Sequence, residues 1–400
     1  MNTKTQGNDS SEITNYIDGS IVNLMVSIKS LLQNDTDVGF VNYKPLKILS
    51  SRQFKGKKKV LLIVIDGLGS ELYKCLKDES KIENWFIGDI KSVFPPTTAS
   101  AITSFHTGTA PVQHGFIGWH MFLREVGSVA TTLPFQTRFG AMSLDKKGIA
   151  VEQILQSRPI ETLGIKMALL QPKGLENSAF SKTMVRKGVR LGYKNLDNFS
   201  DICINFITNT SEYEYMFAYI PNIDYVAHQH GPHSEAVKQT YKEIIPHIHK
   251  ILQQSDEYKI STFVTADHGF IENPPSKRIY LNDHVDLKKM MSLPLCGETR
   301  TAFAYIRNSS NDEFHDYIRN NLNNAISIIK SEDLLQSGLL GIGKPSEETV
   351  HRVGDYILIA KDNYTIHDNL FTETTPLMLG VHGGHSQQEI NVPLFLAGEN

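Results

Sequence analysis

The chain of 400 residues carries only three cysteines, Cys75, Cys203 and Cys296, widely spaced and odd in number. That count argues against a disulfide framework, and no C-x-x-C spacing offers a thiolate metal site. Excess charge is also scarce: 40 Lys and Arg stand against 43 Asp and Glu, a formal charge of −3. So near a balance gives no general reason to bind nucleic acid or an anionic membrane. Long apolar runs are missing as well. The longest, Val60 to Ile65, falls far short of the roughly 20 residues that cross a bilayer. The segment from Met1 to Ser20 is polar and acidic, without the apolar stretch of a signal peptide, so the expectation is a cytoplasmic protein. Composition itself is ordinary, 40% apolar and 21% charged, which excludes wholesale disorder.

What is present is a rhythm. Val60 to Ile65 reads as a strand buried on both faces, and similar runs recur at Gly164–Leu170, Tyr215–Ile220, Ile260–Thr265, Ala302–Ile306 and Tyr356–Ala360. Helical spacing lies between several of them, at Ser70–Leu76, Ala99–Phe105, Glu235–Leu252 and Phe314–Ile329. This alternation predicts an α/β fold, a three-layer α/β/α sandwich around a mostly parallel, doubly wound sheet with a small cap or lid. Residues 1–40 read as a frayed tail and a helix at Ile21–Leu32, and 41–400 as the main domain. Lid insertions are expected around 116–160, 270–295 and 330–380, where turn formers, aromatics or glycines interrupt the rhythm. The stretch from Gly338 through Gly343 to Lys344 imitates a phosphate-binding P-loop, but Pro345 occupies the position of the obligatory Ser or Thr.

Ligands in such sheets bind beyond the carboxyl ends of the strands. Asp66 closes the first run there, and Asp267-His268-Gly269 closes another in the same way. Asp224 and His228 follow the strand at 215–220 with an i, i+4 spacing that shares one helical face, and His382 precedes two glycines. Each alone is a common cap or core residue; three Asp and three His at strand ends point to a shared metal site. Carboxylates mixed with imidazoles suit zinc, manganese or iron. Six protein ligands are too many for one tetrahedral zinc and suit two ions of three ligands each. Three carboxylates against two dications leave the site about +1, which favours an anionic substrate. In Phe94-Pro95-Pro96-Thr97-Thr98, a threonine at the start of a helix is either an N-cap or a nucleophile.

The ordered set Val64-Ile65-Asp66-Gly67-Leu68, Phe94 to Thr98, Thr107 to Gly115, Asp224-Tyr225-x-x-His228, Thr265 to Gly269 and His382-Gly383-Gly384 resembles the type I phosphodiesterase/nucleotide pyrophosphatase family of the alkaline phosphatase superfamily. The resemblance runs from about Lys58 to Leu396. It implies two Zn2+ per chain, with Mn2+ an alternative. One ion would be held by Asp66, Asp267 and His268 with Thr98 as the nucleophile, the other by Asp224, His228 and His382. It implies cleavage of phosphodiester or phosphoanhydride bonds in small, nucleotide-like substrates through a phosphothreonine. His114 would be structural, His385 a rival to His382, and Ala101 would replace an asparagine that donates to phosphate. Trp119, His120 and Arg124 are candidate substrate contacts. Cys296 to Arg300 resembles a segment of prokaryotic members, and His247 and His249 read as solvated. The alternatives are a phosphomonoesterase or phosphonate hydrolase on the same metals, or a non-catalytic scaffold. No stable nucleic-acid or membrane partner is expected.

Overall fold

A computed structural model describes residues 14–33, 42–52, 59–77, 81–209, 213–371, 373 and 377–399. Most of the expected N-terminal tail, residues 1–13 and 34–40, lies outside them. Seven strands form the central sheet: β1 (Val60–Ile65), β2 (Phe86–Lys91), β3 (Met167–Pro172), β4 (Val189–Tyr193), β5 (Tyr215–Ile220), β6 (Ser261–Thr265) and β7 (Asn391–Ala397). Their order across the sheet is β2-β7-β6-β1-β5-β3-β4. β1 pairs in parallel with both β5 and β6, and β3 in parallel with β4 and β5. Only β7 runs against its neighbours. Every residue of β1 and β5 is buried, as continuous apolar runs covered on both faces require.

The helices that matter for the site are α1 (Ile21–Gln33), α2 (Ser70–Leu76), α3 (Thr98–Thr107), α4 (Leu196–Thr208), α5 (Asn222–His230) and α6 (Glu235–Tyr258). α1 packs on α3, and α6 on α4 and α5. α1 is buried on nearly all sides, so its apolar sequence is that of an internal helix rather than of a surface one. No helix among the described residues is long and apolar enough to cross a membrane.

The cap is larger than a lid and is built differently from expectation. A second, antiparallel seven-stranded sheet runs in the order Ile326–Lys330, Tyr356–Ala360, Thr301–Ala304, Cys296–Gly297, His120–Leu123, Ser128–Thr131, Gln136–Thr137. Ala302–Ile306 and Tyr356–Ala360, read from the sequence as central strands, belong to this sheet instead. The helix expected over Phe314–Ile329 spans only Asn311–Asn321, and the chain then turns into the strand Ile326–Lys330. Its own core gathers Leu281, Leu287, Phe314, Ile318 and Leu358. The P-loop imitation leaves a helix, Ser331–Ser337, rather than the strand that a phosphate loop needs.

Candidate metal centre and active-site cavity

Three parallel strands end side by side, and each delivers an aspartate. Asp66 follows β1, Asp267 follows β6, and Asp224 sits in the first turn of α5 just beyond β5. The register of β1 with both neighbours therefore brings Asp224 and Asp267, 158 and 201 positions beyond Asp66 in sequence, to the same edge as Asp66. Gly67 makes the approach possible: its φ is +77°, and a Cβ there would lie 3.1 Å from the Cα of Asp224. Ser92, just past β2, donates its hydroxyl to the Asp267 carbonyl and ties the loop that leads to Thr98 to the same edge.

The histidines close the cluster. His268 Nε2 lies 3.4 Å from Asp66 Oδ1 and 3.4 Å from Asp267 Oδ2, and 3.9 Å from Asp224 Oδ1. His228 and His382 approach Asp224 Oδ1 with Nε2 at 3.3 and 3.7 Å. The donor atoms fall into two overlapping groups, Asp66 with Asp267 and His268, and Asp224 with His268 and His382. Each imidazole is fixed by its other nitrogen: Nδ1 of His228 donates to the Gly380 carbonyl at 2.9 Å, that of His268 to Gly269 at 3.1 Å, and that of His382 to Pro96 at 3.2 Å. That arrangement aims all three Nε2 lone pairs inward, as metal-ligating histidines do.

The residues fit a pair of cations on a second count. Asp66 Oδ1, Asp224 Oδ1 and Asp267 Oδ2 are buried acceptors without a hydrogen-bond partner. Three orphaned anionic oxygens in one place are costly unless positive charge joins them. The same crowding sets the titration behaviour. Burial and the charges of Asp224 and Asp267 push the Asp66 carboxyl well above the usual carboxylate range, against the hydrogen bond donated by Tyr219. Burial also raises Asp224, but the adjoining His228 and His268 outweigh it and hold it low, while the same contact raises His228. Burial, then His268 and His228, press His382 far below its ordinary value.

Thr98 stands against this cluster. Its Oγ1 is 3.5 Å from Asp66 Oδ2 and 3.3 Å from His268 Nε2. Of the two threonines left open by the sequence, Thr97 is the N-cap by position, yet its hydroxyl does not cap α3. It donates instead to Glu298 Oε1 at 2.6 Å. The first-turn N–H groups of α3 thus lack a side-chain cap beside Thr98, a setting that favours an anion.

The cluster opens into a cavity of about 450 Å³ lined by Thr97, Thr98, Trp119, His120, Asp224, His228, Glu298 and His382, and at its far side by Arg138, Leu295, Ile366 and Met378. Trp119 and His120 are therefore on the cavity wall. Burial, with Arg138 nearby, lowers the His120 imidazole to about 3, so it serves as a neutral group. Arg124 is a correction: it lies on the surface, bonded to Glu348 at 2.6 Å and His351 at 2.9 Å, and is absent from the cavity lining. The strand His120–Leu123, paired with Ser128–Thr131, puts His120 on the cavity wall and leaves Arg124, just past its end, beside the helix Glu347–Arg352. Ala101 is corrected too. It is fully buried in the apolar core and is absent from the cavity lining. His114 is structural, buried between Ser104 Oγ at 3.0 Å and the Phe116 N–H at 3.1 Å. His385 stays outside both donor groups. His249 is half-buried against Trp85, with ring centroids 5.3 Å apart, rather than freely solvated.

Sequence reasoning singled out Cys296 to Arg300 without a role, and missed Tyr219 and Glu389. Glu298 receives two hydrogen bonds, from Thr97 and from the Trp119 N–H at 2.7 Å, and burial raises its carboxyl to about 7. Tyr219 donates its hydroxyl to Asp66. Arg300 grips Glu389 through two bonds of 3.1 and 3.0 Å, and Glu389 in turn accepts from the Gly384 N–H at 2.7 Å. The sequence carried no signal for Tyr219 or Glu389: the tyrosine lies in an apolar strand, and the glutamate stands among Gln387, Gln388 and Asn391.

The model of the type I phosphodiesterase/nucleotide pyrophosphatase family matches residues 60–385. The chain belongs to that family. Its members are phosphoric-ester hydrolases of the alkaline phosphatase superfamily, and the central sheet described above is the fold that carries them. No curated protein sequence matches the chain. Among solved structures, murine ectonucleotide pyrophosphatase/phosphodiesterase 5 is similar over 85% of this chain and 88% of that one, with a TM-score of 0.64 and 16% identity. Another structure of that murine protein is of an inactive form in complex with AMP. Phosphonoacetate hydrolase from Sinorhizobium meliloti 1021, in complex with phosphonoformate, is similar over 87% of this chain and 92% of that one, with a TM-score of 0.61 and 16% identity. At these identities the likeness is one of fold.

Proposed function

We propose that this family member is a metal-dependent hydrolase of phosphodiester or phosphoanhydride bonds that works through a covalent phosphothreonine on Thr98. The observation that carries the proposal is the position of the Thr98 hydroxyl, 3.3 Å from His268 and 3.5 Å from Asp66, at the start of a helix and on the cavity wall. Asp66, Asp267 and His268 are assigned to one divalent cation and Asp224, His228 and His382 to the other, zinc by preference and manganese as the alternative. Two such ions supply positive charge that acidifies a hydroxyl and stabilises negative charge on the attacked phosphate and the leaving group.

The chain's own residues do the rest. The cluster and α3 hold the Thr98 oxygen in line for attack on phosphorus, and the free N–H groups of the first turn receive a non-bridging oxygen. As the bond from Thr98 to phosphorus forms, the bond to the leaving group breaks on the opposite side. Water then displaces the phosphoryl group from Thr98 and regenerates the hydroxyl. Trp119 and the apolar side chains of the far wall, Leu295, Ile366 and Met378, receive the organic part of the substrate, which we take to be small and nucleotide-like.

Replacing Thr98 with Ala tests the assignment. Turnover of bis-p-nitrophenyl phosphate should fall by roughly 1,000-fold or more while the bound metal content stays that of the wild type. Undiminished turnover would reject Thr98 as nucleophile.

A further inference from the structure

The segment from Cys296 to Arg300 reaches the Thr97 hydroxyl, the Trp119 backbone and the loop after His382. Glu298 binds the Thr97 hydroxyl at 2.6 Å and the Trp119 N–H at 2.7 Å through the same oxygen, Oε1. Its stem lies against the His382 loop so closely that a Cβ on Gly383, whose φ is +100°, would come within 2.9 Å of the Glu298 Cβ. Two residues on, the buried pair of Arg300 with Glu389 fixes the same loop from the other side by way of Gly384. The Glu298 carboxylate therefore has one position, between the nucleophile loop, the cavity wall and a histidine ligand. Its second oxygen, Oε2, has no hydrogen-bond partner among the described residues, and the residue lines the cavity with Thr98 and Asp224.

Among the described residues no Lys or Arg answers it there, and His228, the imidazole that faces it, is assigned to a metal ion. Arg138 is the only Lys or Arg of the cavity lining among the described residues, and Glu373 holds it through bonds of 2.8 and 2.9 Å. The three aspartates against two dications leave the centre about +1, and an ionised Glu298 brings that sum to about zero. A phosphomonoester dianion presents one more anionic oxygen than a diester, and like charges at short range in a partly buried site repel strongly. A diester places a neutral substituent on that oxygen and avoids the clash.

We infer that Glu298 is a specificity-determining residue, whose fixed carboxylate selects phosphodiester monoanions over phosphomonoester dianions. This rests on the reading of the cavity as a phosphoryl-transfer site. Glu298→Gln removes the charge, while its amide oxygen still accepts from Thr97 and Trp119. In metal-loaded protein at alkaline pH, the ratio of kcat/KM for p-nitrophenyl phosphate to that for bis-p-nitrophenyl phosphate should rise about tenfold in Glu298→Gln. Glu298→Asp, which keeps the charge, should hold the wild-type ratio. A second readout needs no turnover: calorimetric binding of inorganic phosphate should tighten about tenfold in Glu298→Gln. Should the glutamine variant misfold, Glu298→Met must show the same tighter phosphate binding. An unchanged ratio together with unchanged phosphate affinity in a folded, metal-loaded charge-removal variant overturns the inference. Full activity of the Thr98→Ala protein would instead overturn the nucleophile and leave the Glu298 result to stand by itself.

Discussion

A ligand side chain is useful to a metal only when something else decides which way it points. Each histidine of the cluster has its Nδ1 bonded to a backbone carbonyl, so its orientation is set by the main chain and survives side-chain change nearby. Asp66 differs. One oxygen is tied down by a side chain, the hydroxyl of Tyr219, and the other has no partner. Tyr219→Phe should therefore leave folding nearly intact and weaken metal binding about tenfold or more, the usual effect of losing such an outer partner. Zinc titration in competition with a chelator measures this directly. Equal affinity in the two proteins would mean that the hydroxyl does not orient the carboxylate. Nothing in the sequence flagged this tyrosine, because within Tyr215-Met216-Phe217-Ala218-Tyr219-Ile220 an aromatic reads as core.

At the scale of elements, a buried ion pair joins the two sheets. Arg300, 1% exposed, precedes the strand Thr301–Ala304 of the second sheet, and Glu389, wholly buried, precedes β7 of the first. Removing one partner strands the other charge. Arg300→Met should lower unfolding stability by about 3–5 kcal/mol, and adding Glu389→Gln should recover part of that loss. Urea unfolding of the single and double variants checks it; additive losses would show that the pair is not coupled. The same junction explains what could be read in advance. β1, β5 and β6 were legible because strands covered on both faces leave unbroken apolar runs, and the aspartates beyond their carboxyl ends follow from the sheet's own geometry. Thr301–Ala304 and Tyr356–Ala360 have the same apolar pattern, since they too are buried on both faces, and composition does not encode strand direction. The expected helix beyond Phe314 stopped at Asn321 because Asn320, Asn321, Asn323 and Asn324 favour turns over helix. Arg124 was misread for a related reason: position after α3 says nothing about which side of a hairpin a long side chain takes.

For the molecule as a whole, a formal charge of −3 means that its response to pH is governed by buried groups rather than by net repulsion. His106 and His114 are both fully enclosed, and burial lowers each from the ordinary 6.5 to about 3. A depressed imidazole is neutral in the folded chain and takes up a proton when unfolded. The stability it confers is thus complete above pH 6.5 and is lost as pH falls toward 3. At pH 5 each should have cost the fold about 2 kcal/mol relative to pH 7. His106 isolates the effect, because neither ring nitrogen has a hydrogen-bond partner and the ring packs 4.5 Å from Phe217, centroid to centroid. Its replacement by Leu removes the titration without breaking a hydrogen bond, whereas His114 holds Ser104 and the Phe116 N–H. Urea unfolding of chelator-treated protein should show the His106→Leu variant losing about 2 kcal/mol less than the wild type between pH 7 and pH 5. An identical loss in both proteins would mean that His106 is already protonated in the folded chain, and the apolar packing between α3 and β5 would then need a hidden partner for its charge.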